Sequence, residues 1–292
     1  KMMDRKLKEA YKACSTITRQ EAKNFYFAFI TLPRAKRRAI YAIYAFCREA
    51  DDIADGDADL VEKIDAFTRL RKRLASVIKG KPQTLPDLAL SDAIGRFSVD
   101  PDHLVQVING VEMDLTVLRY QTFTDLHVYC YLVASAVGLA VLPILAHRRG
   151  WKLTREVENL GETLGLGLQL ANIVRDVAED IERNRIYIPL EDLERFAVTE
   201  EMLRTGETNE EMRALLAFEI ERARDYIREG ERLIDHLPRH ARSCLMLLAT
   251  IYSRILDRIE TKGYDVFSAR VSLSTKEKLT LTFRTWVRVF LR

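Results

Sequence analysis

The sequence has few of the residues from which metal clusters and disulfide frameworks are built. Its four cysteines, at positions 14, 47, 130 and 244, are widely spaced, and its five histidines show no zinc-binding spacing. Three of the cysteines lie in apolar, helix-like segments, where cysteine behaves as a small hydrophobic residue. These features exclude a disulfide framework and a zinc motif, and they favour a reduced, intracellular protein. We expect it to be cytoplasmic.

Linkers and strand signals are almost absent as well. No stretch rich in proline, glycine or serine divides the 292 residues, of which 48% are hydrophobic and 30% charged, so the chain can bury one large core. Apolar residues recur at helical spacing along most of the chain. We therefore predict an all-α, single-domain helical bundle over residues 1–292. The predicted helices are 18–29, 34–55, 60–78, 88–97, 103–119, 125–149, 154–182, 210–235 and 241–262.

Charge of one sign is not in large excess. The net charge of +3 comes from Lys and Arg scattered among Asp and Glu, which is typical of solvated helix faces and gives no reason to expect a nucleic-acid partner. The first residues lack the apolar core of a signal peptide. No feature of the sequence predicts the oligomeric state.

Two segments raise the question of membrane contact. Residues 128–146 are nineteen positions without a charge, long enough to span a bilayer, but their Tyr, Ser, Gly and Pro favour a buried helix close to its neighbours. Residues 283–292 alternate apolar and basic side chains and are too short to span. They would either lie on a membrane surface or dock onto the domain as a terminal helix, so the contact expected is peripheral at most.

Two acidic clusters stand more than a hundred residues apart. Asp51 and Asp55 are four residues apart, so their carboxylates project from one helix face and repel each other unless a cation joins them. In the second cluster, oxygen-bearing side chains recur at steps of three or four residues and form a stripe along one face. These residues are Gln169, Asn172, Asp176 and Asp180.

Oxygen-rich faces of this kind suit Mg²⁺, with Mn²⁺ as an alternative. Mg²⁺ is usually held by one or two carboxylates together with substrate phosphates, and it serves as Lewis acid as well as clamp. Ordinary solvated helix faces show the same spacing, but both clusters follow apolar segments, where unpaired charge would be costly. The predicted metal ligands are Asp51, Asp52, Asp55, Asn172, Asp176 and Asp180.

The segments around both clusters resemble the squalene and phytoene synthases, which join two prenyl diphosphates head to head. The resemblance runs from about residue 22 to about residue 281, and its signature segments follow one another at plausible spacing. The two acidic motifs are specific together, whereas neither would be alone. The segments are 24–55, with NFYFAF, LP, RRAIYAIYAFCR and DDIAD; 110–115, GVEMDL; 129–138, YCYLVASAVG; 169–176, QLANIVRD; and 185–189, RIYIP.

The resemblance implies both a fold and a reaction. The fold is an isoprenoid synthase-type helical bundle with a central hydrophobic cavity, and the reaction is a Mg-dependent prenyl transfer through a cyclopropylcarbinyl diphosphate. The DDIAD and NFYFAF segments look like bacterial squalene or dehydrosqualene synthases, which favours two farnesyl diphosphates and a C30 product. Two geranylgeranyl diphosphates, giving phytoene, are the alternative. No glycine-rich dinucleotide fingerprint is present, so NADPH use and the terminating step stay open.

The resemblance also implies roles for single residues. Guanidinium groups suit diphosphate oxygens, and tyrosine rings suit phosphates or cations, although salt bridges and core packing are the ordinary uses of these residues. The expected catalytic residues are Arg48, Asp51, Asp55, Tyr129, Asp176 and Asp180. The expected substrate-binding residues are Phe25, Phe29, Tyr44, Arg48, Ala134, Gly138, Gln169, Asn172, Arg175, Arg185 and Tyr252, with Lys23 as a further candidate.

Two other classes of function compete with this interpretation. A terpene cyclase or a head-to-tail elongating enzyme would also carry a DDxxD-type face, although the stripe that begins at Gln169 suits it less well. A non-catalytic helical partner protein would keep the fold for assembly with other enzymes, but the intact acidic clusters argue against it. The products formed from a labelled prenyl diphosphate distinguish these classes.

Overall fold

Helices account for nearly all regular structure in the described chain. The computed structural model describes residues 2–22, 24–148 and 150–290, and within these ranges the only β-type pairing is a single parallel bridge between Arg119 and Ile186. The all-α prediction is confirmed. The helices are α1 (Met2–Glu21), α2 (Phe25–Phe29), α3 (Arg34–Asp55), α4 (Leu60–Ile78), α5 (Leu85–Phe97), α6 (Asp102–Met113), α7 (Phe123–Cys130), a π-helical turn (Tyr131–Ser135), α8 (Ala136–Ala146), α9 (Arg155–Arg175), α10 (Val177–Glu182), α11 (Leu190–Arg195), α12 (Glu200–Thr205), α13 (Glu210–Gly230), α14 (Leu233–His236), α15 (Arg239–Thr261) and α16 (Thr275–Phe290).

Several helices begin where the sequence supplies a cap. The Asp59 side chain accepts a hydrogen bond of 2.9 Å from the backbone N–H of Glu62 at the start of α4. At the start of α5, Thr84 and Asp87 satisfy each other's backbone N–H groups in a capping box. Such caps satisfy N–H groups that have no partner inside the helix, and each stabilises the fold by about 1 kcal/mol. Local sequence therefore determines where these helices start.

The helix boundaries agree with the predicted segments in some places and differ in others. Helices α3 and α4 cover the predicted ranges 34–55 and 60–78. The predicted helix 154–182 is instead two helices, because Asp176, with φ −103° and ψ 13°, separates α9 from α10. Helices α1 and α16 extend the helical structure beyond the predicted segments at both ends of the described chain.

The most apolar helical segment runs through the middle of the fold. In the part of the chain that the structure describes, Phe123–Ala146 is the one segment long and apolar enough to cross a membrane by length and composition, and half of its most apolar window is buried inside the protein. Its π turn packs against α6 and α9. Glycines allow this close approach, because a Cβ on Gly110 or Gly165 would lie 2.6 to 2.7 Å from atoms of the turn. The packing agrees with the predicted buried helix.

The helices surround one continuous hydrophobic core. All four cysteines are free and buried. Residues of α3, of the α7–α8 segment, of α9 and of α15 enclose a central cavity, and residues of α2 complete its wall. The predicted bundle with a central cavity is therefore present, and the cavity is the natural place to look for a functional site.

Candidate active site

A cavity of about 460 Å³ runs through the middle of the bundle. Three helical segments supply most of its wall, each with residues three or four positions apart, which is the spacing of one helix face. The α7–α8 segment contributes from Tyr129 to Leu145, and α9 from Gly161 onward. On α3 the lining residues are Ile40, Ile43, Tyr44, Cys47, Arg48, Asp51, Ala54 and Asp55.

The cavity is charged at one end and apolar at the other. The carboxylates lie at the C-terminal ends of α3 and α9, whereas Ile40 and Gly161, toward the N-terminal ends of the same two helices, line it with apolar surface. We call the charged end the mouth, because it is partly open to solvent: the Asp55 side chain is 26% exposed. A ligand with an anionic head and a long hydrocarbon tail matches this polarity.

The two acidic clusters meet at the mouth. Arg183 donates to Asp55 Oδ2 at 2.7 Å, and Arg185 donates to Asp55 Oδ1 at 2.9 Å. Both arginines follow α10 directly, so the segment after the second cluster binds the first cluster. The opposed carboxylate faces that the sequence interpretation requires are thus brought to one place.

Asp176 is held by two guanidinium groups. Its carboxylate accepts a hydrogen bond of 2.7 Å from Nε of the neighbouring Arg175, whose Nη2 contacts the other oxygen. Arg270 approaches from the segment after α15 and donates from Nε and Nη2, each at 3.0 Å. Such two-point pairs fix both charge and orientation. The mouth therefore carries arginines alongside its carboxylates.

Three carboxyl groups at the mouth have raised pKa values. Burial raises the pKa of Asp51 to about 7, and the nearby carboxylates of Asp55 and Asp114 add to this rise while Arg48 opposes it. Burial also raises the pKa of Asp180 to about 8 and that of Asp114 to about 6. Opposite charge lowers such pKa values, so cation binding here would be coupled to proton release.

Asp114 organises two tyrosines beside the carboxylates. It accepts hydrogen bonds from the Tyr187 hydroxyl at 2.8 Å and from the Tyr129 hydroxyl at 3.0 Å. The two rings are stacked with their centroids 5.0 Å apart. Burial, with the nearby Asp114 charge, raises the pKa of Tyr129 well above its ordinary value. The Tyr129 hydroxyl is therefore protonated at neutral pH and fixed in direction.

The donor set fits a hard cation that shares its shell with phosphate. Among residues 2–22, 24–148 and 150–290, no group of three or more His, Cys, Asp or Glu forms a ready-made metal site. Mg²⁺ needs only one or two carboxylates from each side when diphosphate oxygens and water complete its shell. In addition, the Asn172 Oδ1 is buried and has no hydrogen-bond partner among the described residues, which leaves it available as a ligand.

Asp52 lies apart from the other predicted ligands. Its side chain is 57% exposed, it pairs with Arg48 at 2.7 Å, and it is not among the residues that line the cavity. A metal-binding role for Asp52 therefore stays a prediction.

Arg48 does line the cavity, and its Nε is buried without a partner in the described chain. Gln169 lines it beside Asn172, whose amide approaches the Gln169 side-chain oxygen at 3.4 Å.

The predicted wall residues are placed around the cavity with one exception. The rings of Phe25 and Phe29 stack at 5.9 Å, and both line the cavity together with Tyr44, Ala134 and Gly138. A Cβ on Gly138 would meet only the Gly161 oxygen, at 3.6 Å.

Tyr252 is the exception, since it lies behind this wall. It is 2% exposed, and its ring centroid is 6.1 Å from that of Phe25. Burial raises the pKa of its hydroxyl, and the neighbouring Arg175 partly offsets that rise. Lys23 lies outside the described residues.

Four residues of the mouth carry no predicted role: Asp114, Arg183, Tyr187 and Arg270. Asp114 and Tyr187 lie in the GVEMDL and RIYIP segments, which were already recognisable as signatures, so the resemblance contained a signal for them. Arg270 gives no signal, because it lies in an irregular segment 94 residues from its partner Asp176. Only the folded chain brings these two together.

An all-α bundle whose carboxylate-lined cavity changes from charged to apolar along its length defines the isoprenoid synthase class of helical enzymes. A solved structure agrees with this class, since a dehydrosqualene synthase crystallised with ligand superposes with a TM-score of 0.90 at 29% identity, covering 99% of this chain and 100% of that one. The sequence profile for squalene/phytoene synthase matches residues 18–277. The chain therefore belongs to the squalene/phytoene synthase family.

Curated relatives cover almost the whole chain. A 15-cis-phytoene synthase from Synechocystis sp. is 40% identical over 289 residues, which are 97% of this chain and 86% of the relative. A 15-cis-phytoene synthase from Synechococcus elongatus is 39% identical over 280 residues, 94% of this chain and 91% of the relative. Family membership makes this a prenyltransferase-type protein of isoprenoid metabolism.

Proposed function

We propose that this protein condenses two geranylgeranyl diphosphates head to head to give phytoene. The observation that carries the proposal is the meeting of the two acidic clusters at the mouth of an apolar cavity, in a chain about 40% identical to proteins named phytoene synthase. The sequence alone favoured two farnesyl diphosphates and a C30 product. The names of these relatives favour the C20 alternative instead.

The length of the apolar wall supports the longer substrate. From Val133 to Leu145 it covers 12 residue steps, or about 18 Å at 1.5 Å per residue. A prenyl chain built from carbon–carbon bonds of about 1.5 Å advances about 1.25 Å per bond, so an extended geranylgeranyl chain is about 19 Å long and a farnesyl chain about 14 Å. The shorter chain would leave the deep end unfilled.

The mouth residues would bind and orient the diphosphates. Asp51, Asp55, Asn172, Asp176 and Asp180 would hold Mg²⁺, or Mn²⁺ in its place, with Asp52 as an outlying candidate. When bound, the metal would neutralise the diphosphate oxygens and make diphosphate a better leaving group. The guanidinium groups, which now bind Asp55 and Asp176 or line the mouth, would donate to the diphosphate oxygens. They belong to Arg48, Arg175, Arg183, Arg185 and Arg270.

The wall beyond the mouth would protect the cationic carbon chain from water. Phe25, Phe29 and the aliphatic residues exclude solvent, and the ring faces can stabilise positive charge. Tyr129, whose hydroxyl is fixed by Asp114, lines the cavity beside the mouth, and its ring would help to stabilise an allylic or cyclopropylcarbinyl cation there. Formation of phytoene from two geranylgeranyl diphosphates releases two diphosphates and two protons, so this product requires no NADPH.

Product analysis tests the proposal directly. Purified protein with Mg²⁺ is incubated with geranylgeranyl or farnesyl diphosphate, each with and without NADPH, and the products are identified by mass spectrometry. We expect a C40 hydrocarbon from geranylgeranyl diphosphate without NADPH. A C30 product alone would restore the first interpretation, and cyclic or elongated products would indicate another reaction class. If no diphosphate is released from either substrate, the non-catalytic partner protein is the better description.

Removing one carboxylate charge tests the two clusters separately. We expect Asp51→Asn and Asp176→Asn each to lower turnover by about 100-fold or more, because electrostatic stabilisation of the departing diphosphate is lost. Steady-state diphosphate release is the measurement, and far-ultraviolet circular dichroism checks that the helices remain. Asp65→Asn, at an exposed position on α4 outside the cavity, is the matched control. Loss of helical structure in the cluster variants would show that these carboxylates are structural.

A further inference from the structure

Helix α16 exposes a row of large apolar side chains. Leu279, Phe283 and Trp286 are 51%, 67% and 45% exposed. They are spaced by four and three residues, so they lie along one helix face. This is the only exposed row in the described chain in which two aromatic side chains share a helix face.

The exposed row is not the face by which α16 packs on the rest of the protein. Lys278 and Thr285 are buried, and α16 contacts α15 and α2. At about 100° per residue, Phe283 points about 140 to 160° away from these two buried positions. The helix therefore has one face against the protein and a separate apolar face toward solvent.

The charge beside the row is positive. Lys276, Arg284 and Arg288 are exposed on α16. The single acidic residue of the helix, Glu277, is paired with Arg258 and caps the helix start through Ser274. The exposed surface of α16 thus combines apolar side chains with the cations of Lys276, Arg284 and Arg288, of which Arg288 lies near the carboxyl of Glu231.

A second exposed apolar cluster has the opposite charge. Leu60, Val61 and Ile64 are 49%, 69% and 44% exposed at the start of α4. Their neighbours on the chain are acidic: Asp57, Asp59, Glu62 and Asp65. Apolar exposure is therefore common to both surfaces, while the sign of the charge distinguishes them.

We propose that α16 docks in the plane of an anionic lipid bilayer. Leu279, Phe283 and Trp286 enter the boundary between headgroups and acyl chains, and Arg284 and Arg288 contact lipid phosphates. Apolar side chains including Trp and Phe on one face, with Lys and Arg beside them, are the pattern of helices that lie at a membrane surface, and anionic leaflets attract such cations. The proposal is independent of the reaction that the cavity performs.

Vesicle binding tests this surface. The protein of 292 residues is sedimented with vesicles of phosphatidylcholine alone, or of phosphatidylcholine and phosphatidylglycerol in equal parts. We expect binding to the mixed vesicles and little to the neutral ones. Phe283→Ser should weaken binding about tenfold or more, because burial of the ring is lost. Arg284→Gln with Arg288→Gln should also weaken binding by about tenfold and lower its sensitivity to salt.

The matched control is Val61→Ser, which removes an equally exposed apolar side chain beside acidic residues and should leave vesicle binding unchanged. Equal binding to neutral and anionic vesicles, no binding to either, or equal weakening by Val61→Ser would overturn the proposal.

Sedimentation velocity of the free protein tests whether a second copy of the chain binds the row instead. If Phe283→Ser converts a dimer into a monomer without changing vesicle binding, the row is a contact between two copies and the bilayer proposal is wrong. Product assays on the same variants report separately on the reaction.

Discussion

Asp51, Asp114 and Asp180 are held in an arrangement that is costly for the fold when they are ionised. Each is shielded from water and lies near at least one other carboxylate, and burial is the largest cause of the raised pKa in every case. A fold selected for stability alone would not place acids in this way, whereas sites that bind cations or perform chemistry commonly do. At the residue scale, the buried carboxyl groups of the mouth therefore lower the stability of the fold, which is expected of residues retained for function.

The raised pKa values predict how the stability of the fold depends on pH. The pKa of Asp180 is raised from 3.8 to about 8, so the folded state binds the proton more tightly, and the free energy of unfolding falls as pH rises from about 4 through 8. Asp180→Asn removes the titration. Since each unit of raised pKa corresponds to about 1.4 kcal/mol, we expect the variant to be more stable than the parent by about 2 to 5 kcal/mol at pH 8, and by much less at pH 4.

Denaturant unfolding of the metal-free protein at both pH values measures this difference. Asp65→Asn is again the control, because that carboxyl is exposed and its removal should change stability little at either pH. A gain for Asp180→Asn that is the same at pH 4 and pH 8 would mean that the carboxyl does not titrate as its burial implies.

Residues whose role depends on helix periodicity could be predicted from the sequence. Asp51 and Asp55 share a face because they are four residues apart on α3, a helix that the apolar pattern already indicated. Asp176 caps the end of α9, and its backbone N–H donates to the Asn172 backbone oxygen at 2.9 Å, so this pair keeps the helical spacing. Arg270 could not be predicted, because its position beside Asp176 depends on how the segment after α15 returns to α9. Local patterns contain no information on such long-range contacts.

At the scale of elements, the close packing of the π turn against α6 and α9 depends on glycine. A Cβ on Gly165 would lie 2.7 Å from the Cα of Ser135, which is backbone and cannot move aside cheaply. We expect Gly165→Ala to lower the free energy of unfolding by about 1 to 3 kcal/mol through overpacking, although alanine favours helices. The melting temperature reports the change, and loss of activity should accompany it because α9 carries the second cluster.

Gly95 in α5 is the matched control for this substitution. It is also a helical glycine, but nothing lies within 4 Å of the place its Cβ would take. We expect Gly95→Ala to raise the melting temperature slightly, since alanine is the better helix former by about 0.5 to 1 kcal/mol. The prediction of close packing at the π turn fails if the two variants change stability in the same direction.

The elements themselves were predictable to different degrees. Apolar spacing located α3 and α4 to the residue, since this signal is local. The break at Asp176 was not predictable, because the sequence around it continues the helical pattern and the arginines that hold its carboxylate come partly from elsewhere in the fold. For α16 the sequence predicts only a terminal segment that either docks or meets a membrane, and the structure shows that it packs along α15 and α2.

At the scale of the whole molecule, the depth of the cavity should set the length of the substrate. Leu245 of α15 lines the cavity about two turns before Tyr252, away from the mouth. Leu245→Phe should shorten the available depth and lower kcat/KM for geranylgeranyl diphosphate by about tenfold or more while leaving farnesyl diphosphate less affected. Leu245→Ala changes the depth in the opposite direction and serves as the paired variant. Competition between the two substrates, followed by product analysis, measures the preference.

Unchanged preference in both Leu245 variants would show that the tail does not reach this depth.

The overall architecture was predictable from the sequence because 3.6-residue periodicity extends over most of the chain. How the helices surround the cavity was not, since it depends on glycine contacts such as Gly167 against Ile227, where a Cβ would lie 2.7 Å from the backbone nitrogen. The peripheral membrane contact stays a prediction, now located on α16.

Arg175, Arg183, Arg185 and Arg270 form ion pairs with the carboxylates of Asp55 and Asp176. Under the proposed function, binding of a metal ion to these carboxylates would release the guanidinium groups, and each released group would then donate to a phosphate oxygen. The reverse exchange can follow the departure of inorganic diphosphate, when the same side chains recapture the vacated carboxylates.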